Sequence, residues 1–229
     1  MIHLLRRNMD LNVMLFNNRI YGLTKGQYSP TSELGKVTRS TPMGSLDRPF
    51  NPLALALGSG ATFVCRTIDI ETKHLQAIIS RSYSHKGTAF IEIYQNCNIF
   101  NDGAFAPMTN KESKADKVLW LENGQPMLFG SKQNKGIRLD GNKPIVVTIG
   151  KKWSVDDLLV HDEEDYVIAS LLSNMTHQDD FPDPIGVLYA IDAPTYEDLM
   201  LDQIDKAVKQ KGIGSVQDLL DAGDTWVVK

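Results

Sequence analysis

Stretches with apolar residues at helical spacing alternate with short β-branched or aromatic runs over residues 1–95, the pattern that builds a parallel sheet covered by helices. Ile2, Leu4, Leu5 and Met9 share one face and lead into Val13-Met14-Leu15-Phe16, which predicts a helix feeding a strand that ends at Asn17-Asn18. The pattern goes on to predict a helix over 52–57, a strand over 61–68, a helix over 72–85 and a strand over 88–94, with Gly60 and Gly87 in the turns. Beyond residue 115 the runs shorten. Val118-Leu119-Trp120-Leu121 and Met127-Leu128-Phe129 flank Asn123-Gly124, a hairpin signal, and a further turn falls at Asp140-Gly141-Asn142. A strand over 145–149, a helix over 155–175, a strand over 186–191 and a helix over 196–209 come after it. Ser215 with Asp218 predicts a capped last helix ending near Gly223.

Between Gly22 and Pro52 lies a stretch of about thirty residues rich in Gly, Ser, Thr and Pro, far longer than the usual connection of about 4–6. It leaves the C-terminal end of a predicted parallel strand, where open α/β sheets place ligands. That position argues for a functional loop over a mobile surface one.

Composition narrows the function classes. With 229 residues, 42% hydrophobic and 23% charged, the chain can bury a core in one large domain or about two small ones. A net charge of -4 leaves no basic footprint for nucleic acid. Arg6, Arg7, Asp10 and Asn12 break up the apolar N-terminus, and no run approaches the roughly 18 apolar residues of a membrane span. The expectation is a soluble, cytoplasmic protein. Cys65 and Cys97 are too few for a disulfide framework or a tetrahedral metal site from this chain alone.

The words that carry chemistry run from Phe16 through Asn17-Asn18-Arg19-Ile20-Tyr21-Gly22-Leu23-Thr24-Lys25-Gly26-Gln27 to Tyr28-Ser29-Pro30-Thr31. Two Asn side chains at a strand end, with exposed carbonyls after them, offer neutral oxygens suited to Mg²⁺ carrying a phosphorylated ligand. Gly22 and Gly26 let backbone amides approach an anion. On spacing alone, Asn17 and Asn18 serve equally well as turn residues that end a strand.

This run resembles the thiamine-diphosphate signature of the β subunit of 2-oxoacid:ferredoxin oxidoreductases, especially the 2-oxoglutarate type. The likeness continues through Thr41-Pro42-Met43-Gly44, Asn51-Pro52-Leu53, Glu92-Ile93-Tyr94-Gln95-Asn96-Cys97 and Phe181-Pro182-Asp183-Pro184-Ile185-Gly186, covering most of the chain. It implies an α/β thiamine-diphosphate-binding fold with a mostly parallel sheet flanked by helices and a C-terminal α+β extension. Residues 1–110 would be the C-terminal part of the cofactor domain and 111–229 the β subunit's C-terminal region.

Carried over by residue, the resemblance makes the Asn18 side chain and the Ile20 carbonyl the Mg²⁺ ligands, with Tyr21, Gly22 and Thr24 lining the cofactor pocket. Leu23 would lie beside the thiazolium and face the substrate. Lys25, Gln27, Ser29 and Thr31 would stand close to the 2-oxoacid, and Lys25 is otherwise an ordinary loop lysine. Cys97 would be the isolated ligand of a four-iron four-sulfur cluster, although Asn98 stands where the family commonly has proline; read without the resemblance, Cys97 and Cys65 are both small buried hydrophobes.

The family's Gly-Asp-Gly magnesium motif and three further cluster cysteines stand upstream of the Asn pair, and the residues from Met1 to Phe16 contain neither. The expectation is a chain corresponding to the last two thirds of a β subunit, inactive by itself. The reaction implied is conversion of 2-oxoglutarate and coenzyme A to succinyl-CoA, CO2 and reduced ferredoxin, with an α subunit and ferredoxin as partners. Pyruvate or a branched-chain 2-oxoacid is the rival substrate, and a non-catalytic assembly module the rival role.

His3, His74, His85, His161 and His177 show no paired metal spacing and read as solvated or capping side chains. The run Asp162-Glu163-Glu164-Asp165 reads as a complement to a helix dipole. Arg39 and Arg48 in the long loop are surface charges by default and candidates for a distal substrate carboxylate.

Overall fold

The computed structural model describes residues 1–176, 178, 180–224, 226 and 228. His177 lies outside the described residues. Helix α1 (Ile2–Arg7) ends at Asn8, which takes a left-handed φ of 50°. The Asn8 side chain then accepts from Thr62 Oγ1 at 2.6 Å and from the Thr88 amide at 2.9 Å, tying the end of the helix to two strands of the main sheet. Strand β1 (Leu11–Asn17) comes next, and after a long irregular stretch Asn51 caps the Ala54 amide to start α2 (Pro52–Gly58), with proline at its first position. Strand β2 (Phe63–Ile68), helix α3 (Thr72–Ser84) and strand β3 (Thr88–Tyr94) complete the first half. Two single-turn helices, α4 (Ala106–Thr109) and α5 (Lys114–Lys117), lead to strands β4 (Val118–Trp120), β5 (Leu128–Phe129), β6 (Lys135–Asp140) and β7 (Lys143–Thr148). Helix α6 (Tyr166–Met175), strand β8 (Asp183–Ala190) and helices α7 (Tyr196–Lys211) and α8 (Val216–Leu220) complete the chain.

The main sheet has the order β1-β3-β2-β8-β4, and a smaller antiparallel sheet has the order β5-β6-β7. β1, β3 and β2 run parallel, β8 is antiparallel to β2, and β4 is parallel to β8. β2 and β3 are buried at every residue, as strands covered on both faces are, whereas β1 alternates and stands at the edge. On one face Leu53 and Leu57 of α2 and Leu172 of α6 pack with Val64, Phe90 and Leu188; on the other Ile78 of α3 meets Phe63, Cys65 and Ile91. Residues 1–110 and 111–229 thus share one sheet. No helix among the described residues is long and apolar enough to cross a membrane.

Several expectations fail for reasons of tertiary pairing and burial. Asn123-Gly124 makes a turn but no hairpin, because β4 pairs with β8 while β5 pairs with β6, so the turn passes the chain from one sheet to the other. The hairpin forms at Gly141-Asn142, with Asp140 opposite Lys143. The helix expected over 155–175 is only a 3-10 turn (Val155–Asp157) and α6. Between them the Leu159 amide donates to Ile137 O and the Leu159 carbonyl accepts from the Met127 amide, both at 2.8 Å, which draws this stretch into extended pairing. Asp165 then caps the Val167 and Ile168 amides and restarts the helix, so its part in the acidic run is the one expected. Glu163 instead forms an ion pair with Arg81. His161 is neither solvated nor capping: it is 1% exposed in the core.

Candidate active site

β1 delivers Asn17 to the C-terminal end of the sheet, and two Asx turns in succession shape the chain from Asn17 to Ile20. Asn17 Oδ1 accepts from the Arg19 amide, and Asn18 Oδ1 from the Ile20 amide, both at 3.2 Å. Arg19 takes a left-handed φ of 54° between them. The loop beyond closes on itself, with the Tyr21 amide donating to Gln27 O at 2.8 Å, the Gly26 amide to Tyr21 O at 2.9 Å and the Lys25 amide to Gly22 O at 3.0 Å. Gly26 has φ 98°, and a Cβ there would stand 2.9 Å from the Phe100 ring. Glycine is therefore required for shape. Its expected role as an anion-facing amide does not hold, because that amide is consumed by the Tyr21 carbonyl. The amides of Gly22, Leu23 and Thr24, at the tip, donate to no acceptor among the described residues.

Two long-range devices hold the loop. Asn101 Nδ2 donates to the Asn18 carbonyl at 2.9 Å and to the Arg19 carbonyl at 3.3 Å, stapling the turn after β3 to the turn after β1. From below, Glu92 accepts from Asn17 Nδ2 at 2.7 Å while pairing with Arg66 at 2.7 Å, both side chains being fully buried. Neither Asn101 nor this pair was singled out from the sequence. The available signal was one Arg and one Glu, each inside an otherwise apolar strand, since buried charges come in pairs.

A cleft of about 720 Å³ opens beside the loop. Asn18, Ile20, Tyr21, Gly22, Leu23, Thr24, Ser29 and Thr31 all line it, and Lys25 and Gln27 do not. Leu23 is 98% exposed. The Ser29 and Thr31 hydroxyls lie 3.1 Å apart, and Thr31 donates to Asn17 Oδ1 at 2.7 Å. Lys25 is exposed with a φ of 70°, and the buried Gln27 Oε1 has no hydrogen-bond partner among the described residues. Arg48 lines a shallow groove that shares Tyr21, Pro30 and Phe50 with the cleft, whereas Arg39 is exposed and borders neither.

The donor set bears on what the cleft can hold. Asn18 Oδ1 keeps a second lone pair beyond its Asx turn. The carbonyls of Asn18, Arg19, Tyr21 and Gly22 all accept hydrogen bonds, while no donor among the described residues is directed at that of Ile20. Two neutral oxygens suit a hard cation such as Mg²⁺, provided an anionic ligand such as a diphosphate supplies the charge. The residues present fit that group.

Cys97 is half-buried just after β3, with Sγ 3.8 Å from where a Cβ on Gly22 would stand, so its thiol lies against the backbone of the loop. Cys65 is fully buried inside β2, and burial pushes its thiol well above the usual range, leaving an unreactive core side chain. His74 Nδ1 meets Thr67 Oγ1 and His85 Nε2 meets Thr62 Oγ1, each at 2.8 Å; His85 also caps the end of α3, as expected, and His3 is exposed. No group of three or more His, Cys, Asp or Glu among the described residues can hold a metal.

Residues 1–93 match the family described as thiamine pyrophosphate enzyme, C-terminal TPP binding domain. The whole chain aligns at 43% identity over 232 residues with the 2-oxoglutarate oxidoreductase subunit KorB of Mycobacterium tuberculosis, and spans 62% of that relative's length. A 97-residue stretch, 42% of this chain and 32% of the relative, is 50% identical to the 2-oxoacid:ferredoxin oxidoreductase subunit beta of Saccharolobus solfataricus. Among solved structures, the 2-oxoglutarate:ferredoxin oxidoreductase from Magnetococcus marinus with 2-oxoglutarate, coenzyme A and succinyl-CoA bound superimposes with a TM-score of 0.66. That match has 26% identity and covers 96% of this chain and 60% of the other. With a β subunit aligned along the whole of this chain and a cofactor-domain match over the residues that build the cleft, the chain is similar to the β subunits of the 2-oxoacid:ferredoxin oxidoreductases, spanning less than two thirds of the relative it matches throughout.

Proposed function

We propose that the chain is the thiamine-diphosphate-holding part of a 2-oxoglutarate:ferredoxin oxidoreductase, acting in the cytoplasm with an α subunit. The reaction is oxidative decarboxylation of 2-oxoglutarate with coenzyme A to succinyl-CoA and CO2, with ferredoxin reduced. One observation carries the reading: the paired Asx turns leave Asn18 Oδ1 and the Ile20 carbonyl able to take a cation at the cleft.

When bound, thiamine diphosphate supplies the electron sink that loss of CO2 from a 2-oxoacid requires. The chain's own residues bind and exclude water. Asn18 and Ile20 would hold Mg²⁺, and the free amides of Gly22, Leu23 and Thr24, beside Tyr21, would be available to the diphosphate. Leu23, exposed at the cleft, would stand beside the cofactor's reaction centre and help to exclude water there. Ser29 and Thr31, the latter held by Asn17, would meet the 2-oxoacid in the cleft, with Lys25 and Gln27, which do not line it, close behind. Cys97 would give one thiolate to a four-iron four-sulfur cluster whose other ligands would come from outside the described residues. Residues 1–110 carry the cofactor site and 111–229 the subunit's C-terminal region.

A non-catalytic assembly module is the second reading, favoured by the uncharged donor set at Asn18 and Ile20. Calorimetry with thiamine diphosphate and Mg²⁺ on the chain joined to its α subunit separates the two. Binding heat followed by 2-oxoglutarate- and coenzyme-A-dependent ferredoxin reduction is expected. Absence of heat removes the catalytic reading, and faster reduction with pyruvate or a branched-chain 2-oxoacid reassigns the substrate.

A further inference from the structure

Helix α7 buries none of its residues, yet its surface is strongly patterned. Tyr196, Met200, Ile204 and Val208 recur at every fourth position, and Leu201 and Ala207 widen the stripe. Ile204 is 50% exposed and Leu201 62%. Such a stripe on a helix is the face that normally packs against another helix.

The charges decide which helix. Glu197, Asp198 and Asp202 occupy the first half, and Lys206, Lys209 and Lys211 outnumber Asp205 in the second, with Lys206 also paired to Asp202 along the helix. This gradient complements the helix dipole, and it also makes the helix complementary to itself when reversed. A parallel copy would set acid beside acid and base beside base. An antiparallel copy sets each acidic half beside a basic half and opposes the two dipoles. The spacing has the same symmetry: Met200 and Val208 are equidistant along the chain from Ile204, and so are Glu197 and Lys211.

The helix is also held firmly at its base. Thr195 caps the Asp198 amide at 3.1 Å, and the Arg7 guanidinium lies 5.5 Å from the Tyr196 ring centre. Asp10 N donates to Glu197 Oε2 at 3.3 Å, which leaves the other carboxylate oxygen for a partner. The stripe is therefore presented from a fixed point on the body.

We infer that α7 is the docking surface for a second copy of this chain, paired antiparallel about a two-fold axis at Ile204. Ile204 packs on its symmetry mate, Met200 on Val208, and Glu197 pairs with Lys211. At about 24 Å the helix is short, so the dimer is concentration-dependent.

Sedimentation velocity on the 229-residue chain across a concentration series tests this. Dimerisation is expected, abolished by Ile204→Asp with helix content by circular dichroism unchanged. Lys211→Glu weakens it roughly three- to thirtyfold, since two symmetry-related pairs are lost. Ile204→Cys crosslinks to itself under oxidation beyond the unmodified chain, and Lys209→Cys, on the opposite face, does not. A chain that stays monomeric at every concentration overturns the inference, as does a dimer indifferent to Ile204→Asp or crosslinking equally through Lys209→Cys.

Discussion

Glu92 holds Asn17: the carboxylate Oε1 accepts from Asn17 Nδ2 at 2.7 Å, at a point where β3 and β1 run side by side in the core. The second oxygen takes Arg66 Nε at 2.7 Å, and Arg66 in turn donates to Thr176 Oγ1 at 2.8 Å. One end of this network lies under the sheet and the other at the cleft, since Asn17 Oδ1 receives Thr31. The turn that presents Asn18 is thus anchored by a buried charge.

Breaking that pair from one side leaves a charge unpaired in a dry core. Glu92→Ala is expected to cost about 3–5 kcal/mol, read from urea unfolding. The double change Arg66→Met with Glu92→Leu removes both charges and costs less than the sum of the single changes by about 1–3 kcal/mol. Strict additivity would mean that the two side chains do not act as a unit.

Gly26 is required by both its backbone and its space. Gly26→Ala places a Cβ against Phe100 at a φ of 98°, so the loop over 21–27 must open or Phe100 must move. The expected loss is about 1–2 kcal/mol, with faster hydrogen exchange at the Lys25 and Gly26 amides, whose acceptors are inside the loop. Unchanged exchange would show that the loop tolerates the side chain.

The two cysteines are expected to respond differently to substitution. Cys97→Ser should lower the iron bound by the chain joined to its α subunit, whereas Cys65→Ser should leave iron unchanged and reduce stability by about 1–3 kcal/mol, as a polar atom enters the core. Full iron occupancy in Cys97→Ser would remove Cys97 as a ligand.

Acid should destabilise the fold through buried histidines. Burial holds His161 below its ordinary 6.5, outweighing the Val187 carbonyl that accepts from its Nε2 at 2.8 Å. Burial lowers His74 and His85 in the same way. A lowered pKa in the fold means the unfolded chain binds protons first. Stability is therefore level above about pH 6.5 and falls as pH drops through that value toward the lower folded pKa. Urea midpoints at about pH 7.5 and about pH 5.5 should differ in that direction, and His161→Gln, which keeps a donor for Val187, should shrink the difference. An equal difference in His161→Gln would assign the acid sensitivity to other groups.

The local elements were legible in the sequence because local rules set them. Apolar periodicity and caps located α1, α2, α3, β3 and the final helix, and the tract from Asn17 to Thr31 carried the cleft residues as one contiguous word. Contacts distant in sequence were not legible. The Asn123-Gly124 turn joins two sheets, and the stretch around Leu159 is drawn out of helix by Ile137 and Met127, because unpaired backbone groups in the interior cost more than local propensity returns. Composition and motif therefore pointed to the class of protein and to most of the loop residues that line the cleft. Only the tertiary structure decided that Glu92 and Arg66 secure that loop from below, that Asn101 ties Cys97's turn to it, and that the Gly26 amide is spent within it, since each depends on which strands burial brings together.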